Sequence, residues 1–337
     1  MNSSAKIKQF ILTNISLHQK DIIYTAINQF GISRQAVLKH MNQLIDDNKV
    51  KASGKTRDRR YKLIPQVNFN KTIPIKSDYT SYEGIQKNIL IHLESLSKNL
   101  FQICEYSIEA LVSNIVDHAN ASSIYVKLFL TYSDLHIVIS DNGSGLFENI
   151  KSKLDLSSTQ LAALEIAKGP ITTDPLHQSG DGLNTIFHLF DRIKVDSSGF
   201  GLCYTNKNNQ WKIDYSKQKQ GTRIHLQINP NSSRTCDKIF QKLFNEEKQA
   251  FRIPISLLKD PSKNSLNSKL NAKSIFWNIN YLEEIQFDFY HIDLIGPAFA
   301  DELVRQSRSI NRDAVIDWVN YNITVDLLMK RALKRII

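Results

Sequence analysis

Several features that would mark a membrane, secreted or metal-binding protein are missing from this sequence. No apolar run approaches the roughly 20 residues that a membrane-spanning helix needs. The first residues lack the apolar core of a secretory signal. The three cysteines, Cys104, Cys203 and Cys236, lie far apart without metal or redox spacing. We therefore expect a cytoplasmic protein with reduced thiols and no membrane partner.

Positive charge, in contrast, is plentiful and is concentrated near the N-terminus. The 337-residue chain carries a formal net charge of +10. Residues 1–66 contain twelve basic and four acidic side chains and so hold +8 of it, which leaves +2 for the other 271 residues. Such a block is typical of proteins that bind the phosphate backbone of a nucleic acid, although by itself it could equally be a solubilising surface. The chain is long enough for two or three domains.

The basic segment has the pattern of three helices followed by a β-hairpin. Apolar residues recur at helical spacing in residues 7–15, 22–27 and 37–45. Gly31 permits a tight turn, and Ser33 is a good N-cap for a third helix. Two strand-like runs then flank a polar tip. This order resembles the winged helix-turn-helix family over residues 1–66, whereas residues 67–82 contain Pro74 and few helix signals and are predicted to be a linker.

The winged-helix resemblance implies that double-stranded DNA is a partner. The third helix would enter the major groove with its N-terminal residues leading, and the wing would meet phosphates or the minor groove. The residues assigned to this interface are Ser33, Arg34, Gln35, Lys39 and His40 on the helix, and Lys51, Lys55, Arg57, Arg59 and Arg60 in the wing. Winged helices also serve as protein-docking modules, which is the alternative interpretation.

Four ordered sequence blocks characterise the middle segment, about residues 83–235. They are Asn114 on a predicted helix, Asp141-Asn142-Gly143-Ser144-Gly145 after a strand, Gly180-Asp181-Gly182-Leu183 opening a helix, and Gly221-Thr222 opening a strand. Singly, each block could be a plain turn or helix cap. Together they resemble the GHKL superfamily, which includes gyrase, mismatch-repair ATPases and histidine kinases, and predict an α/β sandwich that binds ATP and Mg²⁺.

The GHKL resemblance gives each block a role. Asp141 would accept a hydrogen bond from the adenine amino group, Asn114 would supply an oxygen to Mg²⁺, and Thr222 would steady the adenine end. Glycines would allow close approach of the backbone and present N–H groups to phosphate at a helix N-terminus. The stretch 146–179 would be a mobile lid. The predicted nucleotide-binding residues are Asn114, Asp141, Gly143, Gly145, Thr173, Gly180, Gly182, Leu183 and Thr222.

One departure from the family pattern concerns hydrolysis. Hydrolytic members usually place a carboxylate four residues before the magnesium asparagine, and Ala110 occupies that position here. Glu109 points about 140° away from Asn114 on a helix, whereas Asp117 and His118 lie at about 60° and 40°. Those two residues are weak catalytic candidates, so we expect slow hydrolysis or none. A histidine-kinase interpretation would need His92 as phosphoacceptor, but it lacks the usual His-Glu-x-x surroundings.

The C-terminal segment, about residues 250–337, alternates strands and helices. Its string Ile295-Gly296-Pro297-Ala298-Phe299-Ala300-Asp301-Glu302 resembles a STAS-like family of unassigned function that often follows a GHKL domain. The resemblance implies a protein partner, as in bacterial partner-switching systems. Pro297 and Ala298 occupy the turn where STAS proteins carry a phosphoacceptor serine, so self-phosphorylation there is not expected. Asp301 and Glu302 could contact the lid or a partner, or could be solvated.

The expected protein is therefore multidomain, with an N-terminal α+β winged helix, a central GHKL α/β sandwich and a small C-terminal STAS-like α/β domain. The leading hypothesis is an ATP-responsive transcriptional regulator, expected to be a homodimer. The alternative is a GHKL protein-serine kinase or slow ATPase in a partner-switching or defence system.

Overall fold

The N-terminal part of the computed structural model is a small domain with its own core. The structure describes residues 3–75, 80–171, 180–245, 251–277, 279 and 282–336. Helices α1 (Ser3–Asn14), α2 (Ile22–Phe30) and α3 (Arg34–Asp46) precede an antiparallel hairpin of β1 (Val50–Ser53) and β2 (Arg60–Leu63). Helix α2 ends at Gly31, whose φ of 62° is left-handed, and the Ser33 hydroxyl accepts from the Ala36 N–H at 3.2 Å and caps α3. The predicted order of elements is present.

The prediction of a linker over residues 67–82 is wrong for most of this range. Strand β3 (Val67–Pro74) pairs antiparallel with the next strand along all eight residues, and a helix begins at Thr80. Val67, Phe69 and Ile73 alternate with polar residues and face the core. Pro74 is tolerated because it ends an edge strand, where its missing N–H costs no ladder bond. Residues 76–79 lie outside the described part.

The central part is one seven-stranded antiparallel sheet covered by helices. Its helices are α4 (Thr80–Leu90), α5 (Lys98–His118), α6 (Leu146–Lys153), α7 (Thr159–Lys168), α8 (Asp181–Leu189) and α9 (Cys236–Asn245). Its further strands are β4 (Ser123–Leu130), β5 (Leu135–Asp141), β6 (Arg192–Ser197), β7 (Phe200–Thr205), β8 (Gln210–Tyr215) and β9 (Thr222–Ile228). The sheet order β3-β4-β5-β9-β6-β7-β8 places β5 beside β9 at its centre. The end of β5 therefore lies next to the start of β9.

The stretch 146–179 was predicted to be a mobile lid, and its first part is packed structure instead. Helices α6 and α7 occupy most of residues 146–168. Phe147 and Ile150 of α6 are buried, and so are residues 161–166 of α7. Glycine and proline at positions 169 and 170 interrupt the chain only after α7 has ended. Residues 172–179, including Thr172 and Thr173, lie outside the described residues.

The C-terminal module alternates strands and helices, as expected. Its elements are β10 (Phe251–Pro254), β11 (Ser265–Leu266), α10 (Lys269–Ser274), β12 (Glu284–Asp288), β13 (Leu294–Ile295), α11 (Pro297–Ile310), β14 (Val315–Val319) and α12 (Ile323–Arg335). Strands β10, β12 and β14 form a parallel sheet, and β11 pairs with β13.

The two carboxylates that could have faced a partner are engaged inside the C-terminal module. Glu302 is 1% exposed and is surrounded by Arg305, Lys269 and Gln306, so it is neither solvated nor available to a partner. The Asp301 Oδ2 atom lies 3.5 Å from the Arg335 guanidinium nitrogen Nη1. Pro297 begins α11, at the turn where the resemblance placed it.

The C-terminal module shares one hydrophobic core with the central sheet. Helix α7 is the link: its Gln160 Nε2 donates to the carbonyl oxygens of Leu257 and Lys259, both at 2.7 Å. Lys168 Nζ donates to the Trp277 carbonyl at 3.1 Å and forms an ion pair with Glu165, and these two side chains are 7% and 6% exposed. Among the described helices, none is long and apolar enough to cross a membrane.

Breaking the buried ion pair of α7 should destabilise the protein. The substitution Lys168→Met leaves the Glu165 carboxylate buried without its cation, which costs roughly 3 kcal/mol. The matched control Lys151→Met removes the solvent-exposed pair with Glu148 and should cost less than about 1 kcal/mol. Urea unfolding followed by circular dichroism measures both. Equal destabilisation by the two variants would contradict the assignment, and Glu165→Gln combined with Lys168→Met should recover most of the loss.

Candidate functional site

A cavity of about 410 Å³ opens beside the centre of the sheet. Its volume falls within the roughly 300–1,000 Å³ of ordinary ligand pockets. Helix α5 forms one wall, and α6 and the start of α8 form two others. The end of β5 and the start of β9 form the floor. The lining residues are Ala110, Leu111, Ser113, Asn114, Ile115, His118, Ala119, Ile139, Asp141, Leu146, Asn149, Ile150, Lys153, Ile171, Gly180, Gly182, Leu183, Thr222 and Ile224.

One face of α5 presents Ala110, Asn114 and His118 to the cavity, at a spacing of four residues. Asp117, the other weak catalytic candidate, is exposed and accepts a hydrogen bond from the Ser113 hydroxyl at 2.9 Å, so it does not line the cavity. Glu109 is exposed and also lies off the lining. The wall therefore carries an amide and an imidazole, and a methyl group stands where a carboxylate would serve as general base.

Asp141 is the buried acceptor of the site. Its side chain lies at the end of β5, and the residue is 6% exposed. One carboxylate oxygen accepts from the Gly143 N–H at 2.8 Å and the other from the Thr222 N–H at 3.2 Å. Burial raises the pKa of Asp141, and these two backbone donors oppose that rise by stabilising the charged form. Each oxygen keeps a second lone pair for a ligand donor.

Thr222, the first residue of β9, connects the sheet to α6. Its Oγ1 accepts from the Leu146 N–H at 2.8 Å, which satisfies one of the donors at the start of that helix. The hydroxyl hydrogen stays available to a ligand, because it is not used in this bond. Thr222 therefore lines the cavity and also fixes the position of α6.

The glycines of the loop after β5 do not line the described part of the cavity. Gly143 and Gly145 were predicted to allow the backbone to approach a ligand, but a Cβ on Gly143 would lie 2.0 Å from the Ala119 carbonyl oxygen. Gly221, with φ of 67°, packs in the same way, because its Cβ would lie 2.1 Å from the Asp141 carbonyl oxygen. The Gly221 N–H donates to the Gly143 carbonyl at 2.9 Å. These glycines allow close packing of the loops that hold Asp141.

The start of α8 faces the cavity through Gly180, Gly182 and Leu183. The first N–H groups of a helix have no partner within the helix, and this end carries the positive pole of the helix dipole. An anion such as phosphate is favoured there. Thr173, which was also predicted to bind nucleotide, lies outside the described residues.

The sequence interpretation missed the contribution of α6. Asn149 and Lys153 line the cavity one turn apart, and the Asn149 amide donates to the His118 carbonyl at 2.9 Å. Lys153 brings a positive charge to the cavity. The signal in the sequence is the i, i+4 spacing of these two polar residues within the eight residues after Gly145.

The site coincides with a known domain. Residues 104–232 match the family described as Histidine kinase-, DNA gyrase B-, and HSP90-like ATPase. The match runs from α5 past the end of β9 and so includes every described residue of the predicted nucleotide site. A comparison with curated proteins found no match. The predicted GHKL domain is confirmed over residues 104–232, whereas the winged-helix and STAS-like assignments stay predictions.

A methyl group at Gly221 should disrupt the loops that hold Asp141. The substitution Gly221→Ala imposes both a left-handed backbone on alanine and a clash with the Asp141 carbonyl, so we expect a loss of about 2–4 kcal/mol of stability. The control is Gly84→Ala, where α4 offers open space and the change should stabilise by about 0.5–1 kcal/mol. Thermal unfolding of both variants tests this, and an unaltered Gly221→Ala protein would refute it.

Proposed function

We propose that this chain is an ATP-binding and DNA-binding regulatory protein in which the ATPase domain acts as a nucleotide switch. The observation that supports this most is convergence: Asn114, Asp141, Gly182 and Thr222 are far apart in sequence, yet they line one cavity within a GHKL domain. Membership of that family supports ATP binding and is compatible with kinase or ATPase activity.

The residues of the cavity suit a purine nucleotide. Ile115, Ile139 and Ile224 provide apolar walls near Asp141, whose carboxylate would accept from the adenine amino group. Lys153 and the start of α8 would meet the phosphates. The described residues contain no cluster of three or more His, Cys, Asp or Glu side chains that could hold a metal. Mg²⁺, which prefers oxygen ligands, would be held by the Asn114 oxygen together with the phosphates of the nucleotide.

Slow hydrolysis, or none, follows from the position of Ala110. It lines the cavity one turn before Asn114, and a methyl group cannot activate a water. His118 is the remaining titratable candidate on this wall. The second candidate function is a GHKL kinase or slow ATPase, which family membership favours. His92 is a poor phosphoacceptor for it, because its ring stacks on Phe69 at 4.0 Å.

The DNA-binding part of the proposal rests on the exposed cations of the N-terminal domain. Arg34, Gln35 and Lys39 are exposed on α3, whereas Ser33 is used as its cap and His40 is partly covered, with Ser4 at 3.4 Å. The hairpin exposes Lys51, Lys55, Arg59 and Arg60, and the side chain of Arg57 lies outside what the structure describes. In the described N-terminal domain, none of these cations lies within ion-pair distance of a carboxylate, so their charge is available to phosphates.

Strand β5 connects the two proposed functions. The turn that precedes it carries Tyr132, which packs against the core of the N-terminal domain. The strand is seven residues long and ends at Asp141, and it spans about 20 Å at the usual rise per residue. A change at the nucleotide site would therefore reach the base of the DNA-binding domain through one rigid strand.

Nucleotide binding should depend on the charge of Asp141. We expect the substitution Asp141→Asn to raise the Kd for ATP by about 10–100-fold, because a charge-assisted hydrogen bond is lost. The matched control Asp155→Asn makes the same chemical change at an exposed turn after α6 and should leave the Kd unchanged. Isothermal titration calorimetry with ATP and Mg²⁺ measures both, and labelled ATP reports any turnover. Equal affinities for all three proteins would remove the nucleotide assignment.

DNA binding should depend on α3 and respond to nucleotide. We expect Arg34→Ala combined with Lys39→Ala to weaken binding to a DNA duplex by about tenfold or more. The control pair Lys238→Ala and Lys242→Ala removes the same charge from α9 of the ATPase domain and should have little effect. Gel-shift titrations are run with and without ATP and Mg²⁺. Identical affinity in the two conditions would exclude the switch, and equal loss in both double variants would exclude α3 as the reader.

A further inference from the structure

A second cavity, of about 200 Å³, lies where the edge strand β8 of the ATPase sheet meets the C-terminal module. Its polar lining consists of Lys212, Asp214, Ser256, Lys259, Asn264 and His291. The volume is below the roughly 300 Å³ at which drug-sized ligand pockets begin, so only a small ligand fits. Residues of β8 and of the C-terminal module together form the cavity. It lies at the opposite edge of the ATPase sheet from β3, away from the nucleotide site.

The central feature of this cavity is a buried ammonium group. Lys259 is 8% exposed, and its Nζ donates to the Asn264 Oδ1 at 2.6 Å. Among the described residues, no carboxylate lies within 4.0 Å of this nitrogen. An ammonium has three N–H donors, and burying it without an acid is unfavourable. Consistently, burial lowers the pKa of Lys259; Asp293 opposes this, the charge of Lys212 adds to it, and Asp214 opposes it.

The two acids that partly stabilise the charge of Lys259 each have a nearer partner of their own. Asp214 pairs with Lys212 at 2.9 Å, and Asp293 accepts from the Asn264 amide at 3.1 Å. The cavity thus contains two ammonium groups and one carboxylate, together with the hydroxyl of the buried Ser256 and the imidazole of His291. Among the described lining residues, the ammonium of Lys259 is the charged group without an ion-pair partner.

We propose that this cavity binds a small oxyanion of about the size of phosphate, held by the ammonium of Lys259 with Lys212 and the Ser256 hydroxyl as further donors. Ammonium groups bind phosphate as point charges. They therefore do not need the fixed bidentate arrangement that an arginine side chain provides. The carbonyl of Lys259 accepts from Gln160 of α7. The residue that would bind the anion through its side chain is therefore in direct contact, through its backbone carbonyl, with the helix between the ATPase sheet and the C-terminal module.

Calorimetry with inorganic phosphate tests the proposal on the full chain. The wild type should bind phosphate at millimolar or lower concentration, and Lys259→Met should raise the Kd by about tenfold or more. The matched control Lys263→Met removes an exposed lysine of the same loop, outside the cavity lining, and should leave the Kd unchanged. No binding by the wild type at millimolar phosphate, or equal loss in both variants, would overturn the proposal.

A second measurement does not depend on how the variant folds. Acetylation of lysines in the wild-type chain is followed by mass spectrometry, with phosphate or with chloride at equal ionic strength. Phosphate should slow the acetylation of Lys259 at least severalfold and leave that of Lys263 unchanged. Equal rates for Lys259 in the two salts would contradict the site directly.

Discussion

The hydrogen bonds of a single carboxylate hold the centre of this molecule together. Asp141 ends β5 and accepts from the backbone of both Gly143 and Thr222, so it joins its own loop to the first residue of β9. Thr222 in turn accepts from Leu146 and fixes the start of α6. The floor of the nucleotide cavity and one of its walls therefore depend on the same acid that would recognise the base. Close packing at Gly143 and Gly221 is the steric condition for this arrangement.

The parts of the site that could be predicted from the sequence are those that do not depend on contacts with distant parts of the chain. Asn114, Asp141, Gly182, Leu183 and Thr222 belong to the four sequence blocks of the GHKL resemblance, and all five line the cavity. The role of Gly143 was misjudged, since the sequence shows a missing side chain but not the carbonyl of Ala119 that requires its absence. Asn149 and Lys153 were missed because they belong to no block and depend on where α6 packs.

The same distinction applies to the fold. The helices of the N-terminal domain and the strands β5 and β9 were predictable, because apolar spacing and one-sided burial are local properties of the sequence. Strand β3 was not, since Lys71 interrupts its alternation of apolar and polar residues and its Pro74 resembles a linker signal. Helix α7 was hidden for a different reason: it is buried between α6 and the C-terminal module. A helix covered on most sides has no polar face and so lacks the amphipathic pattern by which helices are recognised.

The position of α7 limits how a nucleotide could influence the C-terminal module. A ligand shifts a conformational equilibrium only by the difference in its affinity for the two states, and a near-complete switch needs about a 10⁴-fold difference. If ATP is bound without rapid hydrolysis, as Ala110 suggests, that difference must come from contacts alone. Helix α6 lines the cavity and packs on α7, which holds the module through Gln160 and Lys168. Strand β8 also contacts the module, but three strands separate it from β5. In the proposed switch, α6 and α7 would carry a change at the nucleotide site to the C-terminal module, and Gln160 of α7 also donates to the carbonyl of Lys259, which lines the second cavity.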